Sequence, residues 1–346
     1  MKLILIFAVA AAVLFVGCSN DLLEPEQFGR NSSSKGNVKS PTTTMGKYEI
    51  NTTGGVSTVY LKTGRNSTWV ATFTPSTRTV TMSGDARSFT ENNLSVNHNT
   101  WVRLLTSPFN GSVDTAWISA RLAENVTNTN VPDILEMAMD YLDDGSLDAK
   151  YGPDNTLDEG SDWSDYLGVD HQYVNHWSWS LQKYTNWTHV ADNDRLGALD
   201  CSGFIRMVYG YRGGIPMMYN PDPNNPSSLF PRRSYQMWDS CIGKKVMTGY
   251  QFGAGDAEDK LALVRIGDLV LFNADTSTTT EKWRIDHVGM YLGEDQNGNM
   301  RFMHSRSTSN RGPSFNFDGT GKSIINDDGT DDWLYYAKAL VGARRL

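Results

Sequence analysis

A cysteine at the start of a predicted helix is the residue of this chain best suited to nucleophilic chemistry. Cys201 is followed by the small residues Ser202 and Gly203 and then by apolar side chains at helical spacing as far as Tyr209. The free N–H groups and the positive dipole end of a helix favour thiolate over thiol, which makes such a sulfur a nucleophile near neutral pH. Asp200 is expected to be the N-cap of the same turn. An inert core thiol is the alternative interpretation, and this stretch by itself does not separate the two.

Two histidines later in the chain are placed to supply a base and an orienting group. His287 lies near the start of the alternating segment 285–293, and His304 ends the next predicted strand. The turn-rich residues 294–299 predict a hairpin that brings the two rings onto neighbouring strands. A thiolate nucleophile needs a base beside it, and the base needs a third group that holds its ring in one tautomer. Cys201, His287 and His304 therefore form a candidate triad.

Four motifs follow one another in the second half of the chain. They are Asp200-Cys201-Ser202-Gly203-Phe204, Pro231-Arg232-Arg233-Ser234-Tyr235-Gln236, Gly267-Asp268-Leu269-Val270-Leu271-Phe272 and His287-Val288-Gly289-Met290-Tyr291-Leu292-Gly293. In that order they resemble the NlpC/P60 cysteine peptidases of bacterial cell walls, over roughly the last 200 residues, the size of one domain. The resemblance implies an α+β, papain-like fold, in which a helix that carries the cysteine packs on an antiparallel sheet that carries the histidines.

The resemblance also implies an activity, which is the hydrolysis of peptidoglycan stem peptides between γ-D-glutamyl and the diamino acid, with no cofactor. Cys201 would attack the scissile carbonyl, and His287 would first hold the thiolate and then protonate the leaving amine. His304 would orient His287. A thiol acyltransferase or amidase of the same fold would share this chemistry, and an inactive wall-binding lipoprotein is a further alternative.

Other residues complete the predicted site. The N–H of Cys201 and the hydroxyl of Tyr151 are expected to bind the oxyanion, with Asp200 and Ser202 in the same substrate-binding group. Tyr151 is the best positional match to a tyrosine that lines the cleft in the family. The other tyrosines that could take this place are Tyr166, Tyr173 and Tyr184.

The start of the chain carries the pattern of an export signal. Lys2 precedes an apolar run from Leu3 to Val16, which is too short to span a bilayer but right for a signal peptide. Residues 15–18 resemble a lipoprotein box, in which Cys18 is lipidated and becomes the first mature residue. An ordinary secretory signal is the alternative. Both predict an exported protein, and the lipid would anchor it to a membrane of the cell envelope, outside the cytoplasm.

The chain divides into four predicted parts. Residues 1–17 are the signal peptide, 18–46 a polar, flexible tether, 47–127 a β-rich N-terminal region and 128–346 the catalytic domain. The β-rich region is interpreted either as a module that binds wall polymer or as an elaboration packed on the catalytic domain. Segment 153–196 is rich in tryptophan, which indicates either a platform for sugar or peptide or aromatic packing of a long loop.

Periodicity predicts the elements that must hold the site. Helices are expected at 115–124 and 132–142, the second with Pro132 in its first turn. Strands are expected at 57–62, 69–74, 77–82, 101–105, 264–272, 286–292, 300–304 and 336–344.

Composition and the cysteine count restrict the class of protein further. A net charge of −8 argues against nucleic acid as a partner, because nucleic acid calls for clustered Lys and Arg. Of the three cysteines, Cys18 is assigned to lipid and Cys201 to chemistry, which leaves Cys241. A disulfide between Cys201 and Cys241 would remove the nucleophile and is the main rival interpretation. No metal site is predicted, because the histidines at 171, 176 and 189 lack a cysteine or carboxylate at ligand spacing.

Overall fold

The computed structural model describes the backbone and the side chains of most of the chain beyond residue 41. The described ranges are 42–127, 130–142, 200–217, 230–231, 233–274, 285–305, 313–316, 321–330 and 332–346, with the backbone alone of two short paired strands, β7 at His176–Ser178 and β8 at Lys183–Thr185. The predicted signal peptide, Cys18, almost all of the predicted tether, and the side chains of the four candidate tyrosines and of segment 153–196 lie outside the described residues.

The β-rich region is one antiparallel sheet whose six strands lie side by side in chain order. Its strands are β1 Thr42–Met45, β2 Tyr48–Thr53, β3 Val56–Thr63, β4 Asn66–Phe73, β5 Thr79–Glu91 and β6 Leu94–Leu104. Strand β1 pairs with β2, which corrects the predicted tether 18–46 at its end. One face buries Val59, Phe73, Val80 and Met82 against Ile118 of the following helix. The strand predicted to end at residue 82 continues to Glu91, so that β5 and β6 form a hairpin much longer than expected.

Two helices follow this sheet. Helix α1 spans Thr115–Glu124, as predicted, and its N-cap Asp114 accepts hydrogen bonds from two backbone N–H groups. Helix α2 spans only Ile134–Met139, which corrects the predicted range 132–142. Asp133 is its N-cap and forms a capping box with Glu136, so Pro132 precedes the helix instead of occupying its first turn. Leu142 N–H bonds to the carbonyl of Met139, and this tighter turn ends the helix early.

The remaining described elements form a second, α+β layer. They are α3 Cys201–Ile205 with a π-helical continuation over Arg206–Arg212, α4 Ser234–Asp239, β9 Lys244–Met247, α5 Ala257–Leu261, β10 Leu269–Phe272, β11 His287–Glu294, β12 Met300–Met303, α6 Tyr335–Ala339 and β13 Leu340–Arg345. The five strands form an antiparallel sheet in the order β12-β11-β10-β13-β9. The predicted hairpin of β11 and β12 is confirmed. Helix α3 packs its apolar side on β11, where Phe204 and Val208 share a core with Val288 and Met290.

Two predicted strands of this sheet need correction. The first begins at Leu269 and not at residue 264, because Gly267 takes a φ of +86° and turns the chain just before the strand. The last was predicted as a strand over 336–344, but Tyr335–Ala339 is helical and the strand begins at Leu340. Two alanines and a lysine favour this helical turn, which buries Tyr336.

The β5–β6 hairpin joins the two sheets. Phe89 and Val96 lie in the same hydrophobic core as Met290 and Leu292 of β11. His98 Nε2 lies 3.1 Å from the carbonyl oxygen of Leu292, in hydrogen-bonding contact. The β-rich region is therefore packed directly on the strand that carries His287. Among the described residues, no helix has both the length and the apolar character that crossing a membrane requires.

Candidate active site

Cys201 lies in the first turn of α3, and the residues beside it fix that turn. The side chain of Asp200 accepts a hydrogen bond from the N–H of Gly203 at 2.6 Å, so the predicted N-cap is confirmed. The hydroxyl of Ser202 donates to the same carboxylate oxygen at 3.1 Å. Both side chains therefore stabilise the backbone geometry that places the thiol at the positive end of the helix.

The thiol faces the start of strand β11. Cys201 Sγ lies 3.8 Å from the carbonyl oxygen of Asp286, the residue immediately before His287. Asp286 is itself held in place, because its N–H donates to the carbonyl of Phe272 and its carboxylate accepts from the N–H of Ala274. The helix that carries the candidate nucleophile thus meets the strand that carries the candidate base at a residue held by hydrogen bonds on both its backbone and its side chain.

The two histidines are in direct contact, as the hairpin prediction required. His287 Nε2 and His304 Nδ1 are 2.8 Å apart, and the two rings are nearly perpendicular, at 87°. Both side chains are buried. A buried hydrogen bond of this length fixes the orientation of both rings, because leaving either nitrogen without a partner in a dry interior costs free energy.

The hydrogen-bond chain extends one residue beyond the predicted triad. His304 Nε2 lies 2.9 Å from the hydroxyl oxygen of Ser323, which is fully buried. This serine was not among the predicted site residues. It belongs to no motif and lies 19 residues from His304 along the chain, so no local pattern connects the two.

Aromatic rings surround the two histidines. Tyr336 of α6 has its ring centroid 5.5 Å from that of His287 and 4.8 Å from that of His304. Phe302 lies 4.6 Å from His304, and Phe272 lies 5.7 Å from His287. These rings lower the local dielectric constant, which strengthens the hydrogen bonds between the imidazoles. The sequence predicts Tyr336 in a strand and contains no pattern that indicates its contact with the histidines.

The second cysteine takes no part in this arrangement. Cys241 is buried and, like Cys201, is present as a thiol and not as half of a disulfide, so the rival interpretation of a Cys201–Cys241 bridge is not observed. Burial raises the pKa of the Cys241 thiol to about 12, which keeps it protonated and unreactive at neutral pH.

Two of the other motifs have structural roles. Asp268 is buried and forms an ion pair of 2.7 Å with Arg345 of β13, which ties β10 to the end of the sheet. In the motif that begins at Pro231, the hydroxyl of Ser234 donates to the carbonyl of Ile285 at 3.3 Å and so supports the same strand start that faces Cys201. Within the ranges that the structure describes, no group of three His, Cys, Asp or Glu side chains is placed to hold a metal ion.

A comparison with protein families gives the class to which this arrangement belongs. The model of the NlpC/P60 family matches residues 184–314, a range that contains Cys201, His287 and His304. No curated protein and no solved structure matches the chain. Residues 184–314 therefore contain an NlpC/P60 domain, and this part of the chain has an α+β fold that carries Cys201 on a helix. Members of this family are in general cysteine peptidases and amidases that act on the peptides of the cell wall.

Proposed function

We propose that this protein is an exported murein endopeptidase that uses Cys201 as nucleophile, His287 as general base and acid, and His304 as orienting group. The observation that carries the proposal is the contact of 2.8 Å between His287 Nε2 and His304 Nδ1, on a strand whose start faces the Cys201 thiol. The bond cleaved is the one between γ-D-glutamyl and the diamino acid of the peptidoglycan stem peptide.

The proposed proton transfer depends on which ring nitrogen of His287 contacts His304. Because Nε2 faces His304, Nδ1 exchanges the proton with Cys201. Sγ transfers its proton to Nδ1 and bonds to the scissile carbonyl carbon; the carbon–nitrogen bond then breaks, and His287 protonates the departing amine. Water attacks the resulting thioester while His287 accepts its proton, which releases the acid and restores the thiol.

Stabilisation of the oxyanion is assigned to the backbone N–H of Cys201 and the hydroxyl of Tyr151. Asp200 and Ser202 support this group through the cap that holds the first turn of α3. The positive end of the helix dipole favours both the thiolate and the developing oxyanion, since each places negative charge at the same point.

The test is digestion of purified muropeptides followed by mass analysis of the products. We expect the wild-type protein to release fragments cut between γ-D-glutamyl and the diamino acid, and Cys201→Ala to release none. Cys241→Ala is the matched control, because it removes a thiol that stays protonated, and it should retain turnover. Wild-type activity in Cys201→Ala would overturn the mechanism. Products that carry a transferred acyl group, or cleavage at the bond that joins peptide to sugar, would indicate an acyltransferase or an amidase instead.

The proposed location is the cell envelope, with the lipid on Cys18 as anchor. The support for it is the sequence pattern of residues 1–18 alone. We expect Cys18→Ala to move the protein from the membrane fraction to the soluble fraction without loss of activity per molecule, because the predicted tether separates the anchor from the site. Unchanged membrane retention in that variant would show that Cys18 is not the anchor.

A further inference from the structure

Ser323 is held in a fixed position at the far end of the histidine pair. Its N–H donates to the carbonyl of Asn316 at 2.8 Å, and its carbonyl accepts from the N–H of Phe302 at 3.1 Å. The backbone is therefore anchored on two sides, one of them strand β12. Its hydroxyl oxygen lies 2.9 Å from His304 Nε2, and both residues are buried. The backbone around Ser323 therefore holds its hydroxyl in contact with His304.

The direction of each hydrogen bond in the chain is set by the proton that His287 must accept. A neutral His287 that takes a proton on Nδ1 carries its own proton on Nε2, so Nε2–H donates to His304 Nδ1. His304 then accepts at Nδ1 and carries its proton on Nε2, from which it donates to the hydroxyl oxygen of Ser323. The same directions hold when His287 is doubly protonated beside the thiolate.

The opposite direction of the hydrogen bond between His304 and His287 would prevent His287 from acting as a base. If His304 carried its proton on Nδ1, it would donate to His287 Nε2, and the neutral His287 ring would then hold its proton on Nδ1. That nitrogen could not accept a proton from Cys201. The tautomer of His304 therefore decides whether the thiol–imidazole pair can form, and a hydroxyl oxygen at His304 Nε2 supplies the acceptor that the productive tautomer needs.

We propose that Ser323 is a positioning residue of this site, whose hydroxyl accepts a hydrogen bond from His304 Nε2 and so stabilises the ring orientation and tautomer in which His304 Nδ1 accepts from His287. The inference rests on the pairing of Cys201 and His287 proposed above. Removal of the hydroxyl leaves the buried N–H at His304 Nε2 without this acceptor, which destabilises the tautomer and the ring orientation that His287 needs.

The first test needs neither substrate nor variant. The ring nitrogens of His304 in the full-length protein, labelled with ¹⁵N on histidine, report by NMR which nitrogen carries the proton. We expect the proton on Nε2, with a coupling to the Nδ1 acceptor across the hydrogen bond from His287. A proton on His304 Nδ1 in the wild-type protein would overturn the inference.

The second test measures the thiolate directly through the rate at which iodoacetamide alkylates Cys201, with peptide mapping to separate Cys201 from Cys241. We expect Ser323→Ala to slow this rate on the order of tenfold at neutral pH, the effect of one lost buried hydrogen bond. Ser323→Thr keeps the hydroxyl and should restore the rate. An unchanged rate in Ser323→Ala, with an unchanged His304 tautomer, would show that Ser323 only fills space.

These measurements separate the inference from the proposed activity. If the wild-type protein cleaves no muropeptide while both tests give the expected results, the assigned substrate is wrong and Ser323 still positions His304. If muropeptides are cleaved through Cys201 but Ser323→Ala changes neither the alkylation rate of Cys201 nor the tautomer of His304, the proposed activity stands and the inference fails.

Discussion

Glu91 and Ser314, which lie 223 residues apart in the chain, are joined by a hydrogen bond of 2.7 Å from the Ser314 hydroxyl to the Glu91 carboxylate. The same carboxylate accepts from the N–H of Phe315 at 2.8 Å. Ser314 in turn exchanges two backbone hydrogen bonds with His304. The tip of the β5–β6 hairpin therefore supports the segment against which His304 is fixed.

We predict that Glu91→Ala loosens this support and lowers both stability and turnover. The loss of a partly buried acceptor of two hydrogen bonds should cost about 1–3 kcal/mol of unfolding free energy, while Glu91→Gln retains one acceptor oxygen and should cost less. Urea unfolding and muropeptide turnover check this. The matched control is Glu49→Ala, which removes a surface ion pair with Lys62 on the same sheet and should leave turnover unchanged. Equal turnover in Glu91→Ala and Glu49→Ala would contradict a supporting role for the hairpin.

The orienting role of His304 predicts a difference between two substitutions. Asn at position 304 can still make a hydrogen bond to His287, whereas Ala cannot, so His304→Asn should keep on the order of tenfold more activity than His304→Ala. Turnover and melting temperature are measured together on both variants. A purely structural histidine would behave differently: both variants would lose stability in parallel, and activity per folded molecule would stay at the wild-type level.

The buried, neutral ring of His98 leads us to predict a loss of stability in acid. The N–H of Thr100 donates to His98 Nδ1, so the folded ring is neutral there, and burial together with the nearby charge of Arg87 lowers its pKa from 6.5 to about 4. The unfolded chain binds a proton as the pH falls through 6.5, and the folded protein does not until about pH 4. The contribution of neutral His98 to the free energy of unfolding should therefore be complete above pH 6.5. It should decrease as the pH falls from 6.5 to 4, by about 3 kcal/mol at most.

Denaturant unfolding across this pH range measures the effect, and His98→Gln isolates it. The glutamine side chain does not titrate, so the free energy of the variant should fall less steeply with acid than that of the wild-type protein. Parallel curves for the two proteins would show that another group causes the acid sensitivity.

Close packing around Gly289, beside the histidine pair, leaves no space for a side chain. A Cβ atom on this residue would lie 2.5 Å from Phe302 Cδ2 and 2.9 Å from the carbonyl oxygen of Met303, the residue before His304. We expect Gly289→Ala to push β12 away and to cost about 1–3 kcal/mol of stability, with a loss of turnover. Gly255→Ala is the matched control, because a Cβ there meets nothing within 4 Å, and it should change stability by less than about 0.5 kcal/mol. Wild-type melting temperature and turnover in Gly289→Ala would show that the strand tolerates the methyl group.

The parts of the site that the sequence predicts are those defined by local pattern. The N-cap at Asp200 follows from a residue type and its spacing to the apolar positions of α3, and the β11–β12 hairpin follows from alternation and a turn of Asp, Asn and Gly. Ser323, Glu91 and Tyr336 could not be found in this way. Each meets the histidine pair or its support through a tertiary contact between segments that are not adjacent in sequence, and no residue type marks such a contact in advance.

Boundaries were wrong where two local preferences competed. At α2, the side chain of Asp133 satisfies the first N–H groups of the helix, and this cap overrides the preference of Pro132 for the first turn. At residues 335–339 the apolar pattern suits a strand or a short helix equally, and the packing of Tyr336 against the imidazoles goes with the helix.

The position of β13 between β10 and β9 has a consequence for how the protein is made. Residues 244–247 and 269–272 precede residues 340–345 by about 70 residues or more, and they share no sheet until the later segment pairs between them. The β11–β12 hairpin can form early, because its strands are neighbours in the chain, whereas closure of the sheet requires contacts of long sequence separation and is correspondingly slow. Chains in which β13 has not yet paired should therefore remain targets for chaperones and proteases.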